Sequence, residues 1–194
     1  MEITSAQIKE LRDKTGISVM QCKKALEEAS GDMEKATIIL KKKRSEAADK
    51  KSDRELGAGT IGVYTHNTNE VAAMVHVACE TDFVSKNEEF ATLARDIAMH
   101  VAAQDPKYIS REDLTPEALQ KAKEVFGEEA KDKPAEMQEK ILEGKLSSYF
   151  KEQILLEQDF IKNPDTTIGE MVSGAVQKFG ENVSIVSISR ASIK

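Results

Sequence analysis

The side chains best suited to chemistry in this sequence are three histidines and two cysteines. They are His66, His76, His100, Cys22 and Cys79. Imidazole and thiolate groups are common zinc ligands, bases and nucleophiles, but they must be gathered at defined spacings to act together. These five residues match no metal-ligand spacing, and the sequence has no G-x-S-x-G, H-E-x-x-H or P-loop motif. The sequence therefore predicts no metal site and a protein that is not an enzyme.

One stretch, GAGTIG from Gly57 to Gly62, matches the dinucleotide fingerprint G-x-G-x-x-G. That fingerprint needs a strand before it and a helix after it, because the pyrophosphate lies at the helix N-terminus. Here a charged stretch precedes the glycines and the β-prone letters VYTH follow them. We therefore favour a flexible entry into a strand and expect no cofactor. An oxidoreductase that binds a nicotinamide cofactor is the alternative.

The composition predicts a protein with an aliphatic core. Of its 194 residues, 40% are hydrophobic but only 5% are aromatic, and tryptophan is absent. No run of 18 apolar residues occurs and the N-terminus does not resemble a signal peptide, so we expect a cytoplasmic protein outside the membrane. Cys22 and Cys79 lie far apart in apolar patterns, which is typical of buried free thiols in a reducing compartment.

Charge is unevenly distributed along the chain, whose net charge is −6. Residues 1–54 contain 13 Lys/Arg and 10 Asp/Glu, whereas residues 55–194 contain 15 and 24. Seven of the basic residues lie between Lys41 and Arg54, but acidic residues interrupt them and no aromatic residue accompanies them. A solvated helical tail and linker is favoured over a nucleic-acid patch, so we expect no direct contact with nucleic acid.

The elements that position the candidate residues begin with three short helices. Helix starts are indicated at Thr4 or Ser5, at Ser18 and at Asp32, and stops at Gly16 and Gly31. We expect a helical domain over residues 1–43, a charged linker over 44–56 and a second domain over 57–194. On the middle helix, Met20, Lys23 and Lys24 lie largely outside the apolar stripe. They form either a contact with a partner or an ordinary solvent-exposed surface.

The second domain is predicted to mix strands and helices. The segment TIGVYTHNTNEVAAMVHVAC reads as a hairpin, a helix is expected to begin after Thr115, and another after Lys133. A further helix is predicted between Thr167 and Gly180, followed by a strand that includes Val183 to Ile188. An antiparallel hairpin separated from its last strand by helices indicates the α+β class, with a small antiparallel sheet and flanking helices.

The stretch CETDFVSKNEEF joins the hairpin to the next helix. Alternating apolar residues end at Cys79, and a Ser85/Glu88 capping box predicts a helix over residues 86–103. Thr81, Asp82, Phe83 and Val84 are left in the join, outside either repeating pattern. A large aromatic in such a turn is either a plug that seals the core or a side chain presented to a partner.

Two long segments resemble the bacterial elongation factor Ts family. LRDKTGISVMQCKKALEEASGD, residues 11–32, is similar to the N-terminal motif of that family, and CETDFVSKNEEF is similar to its central T-D-F-V motif. DIAMHVAAQDPKYI, EGKLSSYFKE and LLEQDFIK match the family pattern in the same order. One difference is TGISVMQ, where the family more often has a glycine and a second methionine.

The resemblance implies a fold and a function. The fold is a UBA-like helical domain followed by an α+β core, in a short form with one copy of the core. The function is guanine nucleotide exchange on elongation factor Tu in translation, by disturbance of the magnesium site of that GTPase. We also expect the short form to be a homodimer, with the apolar terminal strand as a possible pairing edge. The alternative is a UBA-like interaction adaptor without exchange activity.

The resemblance also implies roles for individual residues. Thr81, Asp82, Phe83 and Val84 match the segment that disturbs the magnesium site, with Phe83 as the inserted aromatic. Further contacts with elongation factor Tu are implied at four positions, which are Arg12, Met20, Lys23 and His100.

Overall fold

The computed structural model describes residues 3–130 and 135–193. These residues contain eight α-helices and five β-strands. The first three helices form a unit of their own, whose members are α1 (Ser5–Thr15), α2 (Val19–Glu28) and α3 (Met33–Asp49). Thr4, Ser18 and Asp32 cap them as predicted, each by accepting a hydrogen bond from a backbone N–H. Gly16 ends α1 with a φ of 67°, a left-handed conformation that favours glycine.

A small aliphatic core holds these three helices together. Its largest members, Leu11 and Leu26, are fully buried, and Cys22 packs beside them as a free thiol. The buried residues of this cluster are Leu11, Ile17, Cys22, Ala25, Leu26, Ala29, Ala36 and Leu40. The predicted three-helix arrangement and the buried state of Cys22 are therefore confirmed.

The chain then forms a three-stranded antiparallel sheet. Strands β1 (Ala58–Thr65) and β2 (Val71–Cys79) make the predicted hairpin, and β5 (Val183–Ser192) pairs with the other side of β2. On the outer face of the sheet, Ile61 lies opposite His76. His76 is thus a half-buried residue of the sheet surface.

Helix α5 (Glu88–Gln104) packs on β1 and β2 and covers the inner face of the sheet. A Cβ atom added at Gly62 would lie only 2.1 Å from the backbone oxygen of Ala94 on this helix. Glycine is therefore required for the close approach of α5 to β1. The GAGTIG stretch lies mostly within β1, and β2 follows rather than the helix that a dinucleotide site needs.

Most of the apolar interior lies between this sheet and the helices behind it. Phe90 of α5 is fully buried, and its ring meets that of Phe179 edge to face at 5.8 Å. The buried members of this main core are Ala73, Val75, Val77, Cys79, Val84, Phe90, Ala94, Ile97, Ala98, Val101, Ala102, Leu155, Phe160, Ile168, Val172, Ala175, Val176, Val183 and Ile185.

A helical hairpin lies between α5 and the remaining core elements in the sequence. Helices α6 (Pro116–Ala130) and α7 (Ala135–Lys151) pack together over a small cluster of Ala122, Phe150 and Ile154. Proline at the first position of α6 was predicted from the sequence. The helix start predicted at Lys133-Pro134 lies outside the described residues, and α7 continues through Gly144 as one helix.

The chain returns to the core through a short two-stranded sheet and a last helix. Strands β3 (Asp159–Phe160) and β4 (Asn163–Thr167) are antiparallel, and α8 (Ile168–Phe179) follows directly. Thr167 and Glu170 form a capping box at the start of α8, and Gly180 ends it with a φ of 74°. Both ends of α8 lie where the sequence predicts them.

Two predicted boundaries differ from the structure. Helix α3 continues to Asp49, so the first part of the predicted 44–56 linker is helical, and Arg44 contacts α8 instead of being solvated. The predicted start of α5 was also wrong. Asn87, not Ser85, caps that helix by accepting from the N–H of Glu89, and Asp82–Ser85 form a separate helical turn, α4. Division of the chain into domains at these positions stays a prediction.

The described elements belong to the α+β class, as predicted, with helices flanking a small antiparallel sheet. In residues 3–130 and 135–193, no helix combines the length and the apolar character that crossing a bilayer requires.

Candidate functional site

Phe83 is the most exposed large hydrophobic residue among those that the structure describes. Its side chain lies in the turn α4, with 83% of the residue accessible to solvent. The alternative in which Phe83 seals the core is therefore excluded. Burying a phenylalanine side chain stabilises a protein or a complex by about 1.5–3 kcal/mol, and this residue leaves that free energy available for contact with another molecule.

The next residue, Val84, fixes the turn to the protein. Only 2% of Val84 is exposed, and it belongs to the main core beneath α5 and the sheet. The hydroxyl of Thr60 donates to the backbone oxygen of Ser85 at 2.7 Å, and the thiol of Cys79 donates to that of Thr81 at 3.2 Å. Burial raises the pKa of Cys79, which keeps it a neutral donor. These contacts hold the backbone on both sides of Phe83.

Glu181, which follows α8, binds the start of the turn. Its carboxylate accepts from the backbone N–H of Thr81 at 3.0 Å and from the hydroxyl of the same residue at 2.6 Å. The Thr81 hydroxyl consequently makes no capping bond to α4, although Thr81 occupies the N-cap position. Two charge-assisted hydrogen bonds thus tie the turn to a segment one hundred residues away in sequence.

Glu80 forms a second link between the same segments. Its carboxylate accepts from the N–H of Asn182 at 2.5 Å and from Arg54 at 3.3 Å. The Asn182 hydrogen bond and, to a smaller extent, Arg54 lower the pKa of Glu80 below its usual value. The Asn182 amide also donates to the backbone oxygens of Ser52 and Arg54. The residues on either side of the turn are therefore well anchored.

Asp82 is the one charged residue within the turn. It is exposed and pairs with Lys86, one helical turn later, at 2.6 Å. The hydrogen bond and the charge of Lys86 lower the pKa of Asp82, so this carboxylate is ionised at neutral pH. An exposed pair of this kind contributes little to stability. Both side chains remain accessible next to Phe83.

The predicted N-terminal contact residues lie on the helical unit. Met20 is 69% exposed on α2, next to Val19, which is also exposed. Lys23 follows on the same helix at 3.9 Å from Glu27, and Arg12 is exposed on α1. Helix α2 thus carries exposed apolar area at Val19 and Met20 and a basic side chain at Lys23, a combination that suits contact with another protein.

His100 does not lie on the surface, contrary to the contact predicted for it. Its ring is fully buried, with Nε2 2.9 Å from the amide oxygen of Gln158 and Nδ1 3.4 Å from the N–H of Ile161. These partners correspond to a neutral ring that donates through Nε2 and accepts at Nδ1. Burial lowers the pKa of His100, against a smaller opposing effect of Gln158. The spacing of apolar residues in α5 does not show that Gln158 and Phe160 cover His100, because both residues follow the α6–α7 hairpin in sequence.

Sequence reasoning identified the exposed turn but missed the groups that fix it. Glu181 and Glu80 belong to no local motif that would have linked them to Thr81 or Asn182, since both contacts join distant parts of the chain. Among the described residues, no cluster of three or more His, Cys, Asp or Glu side chains is arranged to hold a metal ion. What this site offers is therefore an aromatic contact on a rigid support.

Comparison with known proteins supports a single family. The family model described as elongation factor TS matches residues 23–193. Elongation factor Ts of Carboxydothermus hydrogenoformans is 48% identical over 185 residues, which cover 94% of this chain and 85% of that protein. The elongation factor Ts proteins of Syntrophus aciditrophicus and Koribacter versatilis are 46% and 44% identical, each over 98% of this chain and over 96% and 88% of their own lengths. This chain belongs to the elongation factor Ts family, a family of translation elongation factors.

Proposed function

We propose that this protein is a guanine nucleotide exchange factor for elongation factor Tu, and that Phe83 is the side chain that disturbs the magnesium site of that GTPase. Membership of the family supports the exchange role and the partner. The observation that carries the proposal for Phe83 is its exposed ring, 83% accessible, on a turn whose next residue is buried in the core.

The mechanism follows from how a GTPase holds its nucleotide. Mg²⁺ bridges phosphate oxygens and requires nearly octahedral coordination, so a small displacement of its protein ligands weakens nucleotide binding. A phenyl ring inserted between two elements of the GTPase supplies that displacement. The anchored turn supports this role, because a rigid ring loses little conformational entropy on insertion. Thr81, Asp82 and Val84 position the ring, and no covalent or proton-transfer step is needed.

Thermodynamic linkage makes the effect reciprocal. If the factor lowers the affinity of the GTPase for GDP, GDP lowers the affinity of the GTPase for the factor by the same ratio. The factor therefore binds best to the nucleotide-free form, and a new nucleotide releases it. We assign Arg12, Met20 and Lys23 to a second contact that supplies binding energy independent of nucleotide. Because His100 is buried, we assign it no direct contact with the GTPase in this conformation and only a role in packing α5 against the segment of Gln158 and Ile161.

The outer face of the sheet supports homodimer formation. Ile61, Val63 and Met74 are each more than half exposed on neighbouring strands, and β5 lies at the edge of the sheet. An apolar sheet face next to an edge strand is a favourable surface for a second copy. We place the dimer contact there and the protein in the cytoplasm, where its GTPase partner acts.

One experiment separates this function from that of an adaptor. Release of fluorescently labelled GDP from elongation factor Tu is measured with and without the protein, together with complex formation between the two. An exchange factor accelerates release at least tenfold in a concentration-dependent manner. Complex formation without acceleration would identify a UBA-like adaptor instead.

A further inference from the structure

Arg44 connects three segments that are distant in sequence. One guanidinium nitrogen donates to the backbone oxygen of Thr15, at the end of α1, at 3.0 Å. The other donates to the backbone oxygen of Glu170, in the first turn of α8, at 3.4 Å. The guanidinium lies over Gly174, and Lys41, one turn earlier on α3, pairs with the Glu170 carboxylate at 2.8 Å. The helical unit and α8 therefore meet through directed polar contacts.

Stability alone does not explain an arginine at this position. Burial lowers the pKa of Arg44, and its Nε has no hydrogen-bond partner among the described residues. Partly desolvating a guanidinium is costly, and apolar side chains at a contact of this kind are often equally or more stabilising. The arginine instead fixes the orientation of the helical unit relative to α8, because its planar guanidinium donates to two carbonyl groups at once.

The opposite end of α8 leads to the Phe83 turn. Glu181 follows the helix and accepts both hydrogen bonds from Thr81. The last turn of α8 also contacts the start of α5, where Phe179 meets Phe90 and Lys178 pairs with Glu89. With twelve residues, α8 is roughly 18 Å long and acts as a stiff rod at this length.

We propose that α8 sets the spacing between two contact regions: the Met20 surface, formed by Met20 and Lys23 on α2, and the Phe83 turn, which is α4. Arg44 and Glu181 are the positioning residues at the two ends of α8. This inference rests on the proposed function, since it assumes that both surfaces contact one GTPase molecule. Two contacts on a rigid connection bind together with a high effective concentration, whereas a loose connection lowers that concentration without changing either contact. We therefore expect Arg44 to determine the affinity of the protein for the GTPase. Glu181 should instead determine the rate of nucleotide release once the turn is bound.

The spacing is tested first in the free protein. Spin labels are attached to cysteines introduced by Lys24→Cys on α2 and Ala91→Cys on α5, both exposed positions, while Cys22 and Cys79 are fully buried. The distance distribution should be narrow in the parent protein and broad after Arg44→Met. Lys42→Met is the matched control, because the ion pair of Lys42 among the described residues is with Glu46 on its own helix. It should leave the distribution narrow.

GDP release from elongation factor Tu then tests whether the spacing affects exchange. Arg44→Met should raise the concentration of factor that gives half-maximal GDP release about tenfold and leave the maximal rate unchanged. Glu181→Gln, which keeps one acceptor oxygen, should lower the maximal rate about threefold instead. Arg44→Lys preserves the charge but not the planar guanidinium, so it should also raise the half-maximal concentration, but by a smaller factor. It replaces Arg44→Met if that variant does not fold.

The outcomes distinguish the inference from the function. A narrow distribution in a folded Arg44→Met protein would overturn the inference, as would a broad distribution with unchanged concentration dependence. If the unaltered protein does not accelerate GDP release at all, the proposed function is wrong and the inference is overturned with it. In that case the distances still report how the two units are connected.

Discussion

Phe83 and Val84 are neighbours in sequence but have opposite environments: Phe83 is 83% exposed, whereas Val84 is 2% exposed. Successive residues of a helical turn point about 100° apart, so one can enter the core while the other faces solvent. The turn α4 thus uses a small aliphatic residue as its anchor and leaves the large aromatic outside. Contact with another molecule is the role that this arrangement favours for Phe83.

Stability should depend on the anchor and not on the aromatic. Val84→Ala should lower the free energy of unfolding by about 2 kcal/mol, because it removes buried methyl groups from the main core. Phe83→Ala should change it by no more than about 0.5 kcal/mol, since its ring is mostly in solvent. Urea unfolding followed by circular dichroism measures both. Equal destabilisation by the two variants would show that the ring packs against the protein.

The N-terminal surface should contribute affinity. Met20→Ala should raise the half-maximal concentration for GDP release about tenfold, because burial of a methionine side chain is worth about 1.5–3 kcal/mol. Ile38→Ala is the matched control, since Ile38 is 65% exposed on α3 of the same helical unit. It should have no effect. Equal effects of the two variants would argue against a specific contact at Met20.

His100 should make stability depend on pH. Burial holds its folded-state pKa below the reference value of 6.5, so the unfolded chain binds a proton first as the pH falls. The stabilisation is complete above the unfolded pKa and declines as the pH falls from about 6.5 towards the folded pKa. Nuclear magnetic resonance titration should find the His100 ring titrating below 6.5. His100→Gln should reduce the pH dependence of stability across this range, and an unchanged pH dependence would be inconsistent with this account.

The sheet face should control self-association. Sedimentation of the unaltered protein should show a concentration-dependent dimer, and Val63→Glu should shift it to monomer, because a charge at the centre of an apolar contact is poorly solvated. Val125→Glu, at a residue 58% exposed on α6, should leave the dimer intact. A monomer at every concentration of the unaltered protein would contradict the proposed dimer.

Local signals in the sequence predicted most of the fold. The caps at Thr4, Asp32 and Thr167 are formed within three residues, so their geometry follows from nearby side chains. The hairpin of β1 and β2 was likewise evident from alternation and a turn sequence. At Ser85 the local signal failed, because the hydrogen bond from Thr60 and the burial of Val84 favour a separate turn before α5.

The site was predictable only where one short segment carries it. The Phe83 turn stood out because a large aromatic lay outside both repeating patterns. The roles of Arg44 and Glu181 depend on contacts that span one hundred residues or more, and no local pattern specifies such pairs. Burial of His100 similarly depends on Gln158, which returns to α5 only after the α6–α7 hairpin.

The central claim is that the exposed ring of Phe83 drives nucleotide release, and single-turnover release of labelled GDP from elongation factor Tu tests it most directly. At saturating factor, Phe83→Ala should lower the maximal release rate at least tenfold, about 1.4 kcal/mol, while complex formation persists. Val125→Ala, which removes an exposed apolar side chain elsewhere, should leave the rate unchanged. A Phe83→Ala protein that is folded, binds the GTPase and releases GDP as fast as the unaltered protein would contradict the claim.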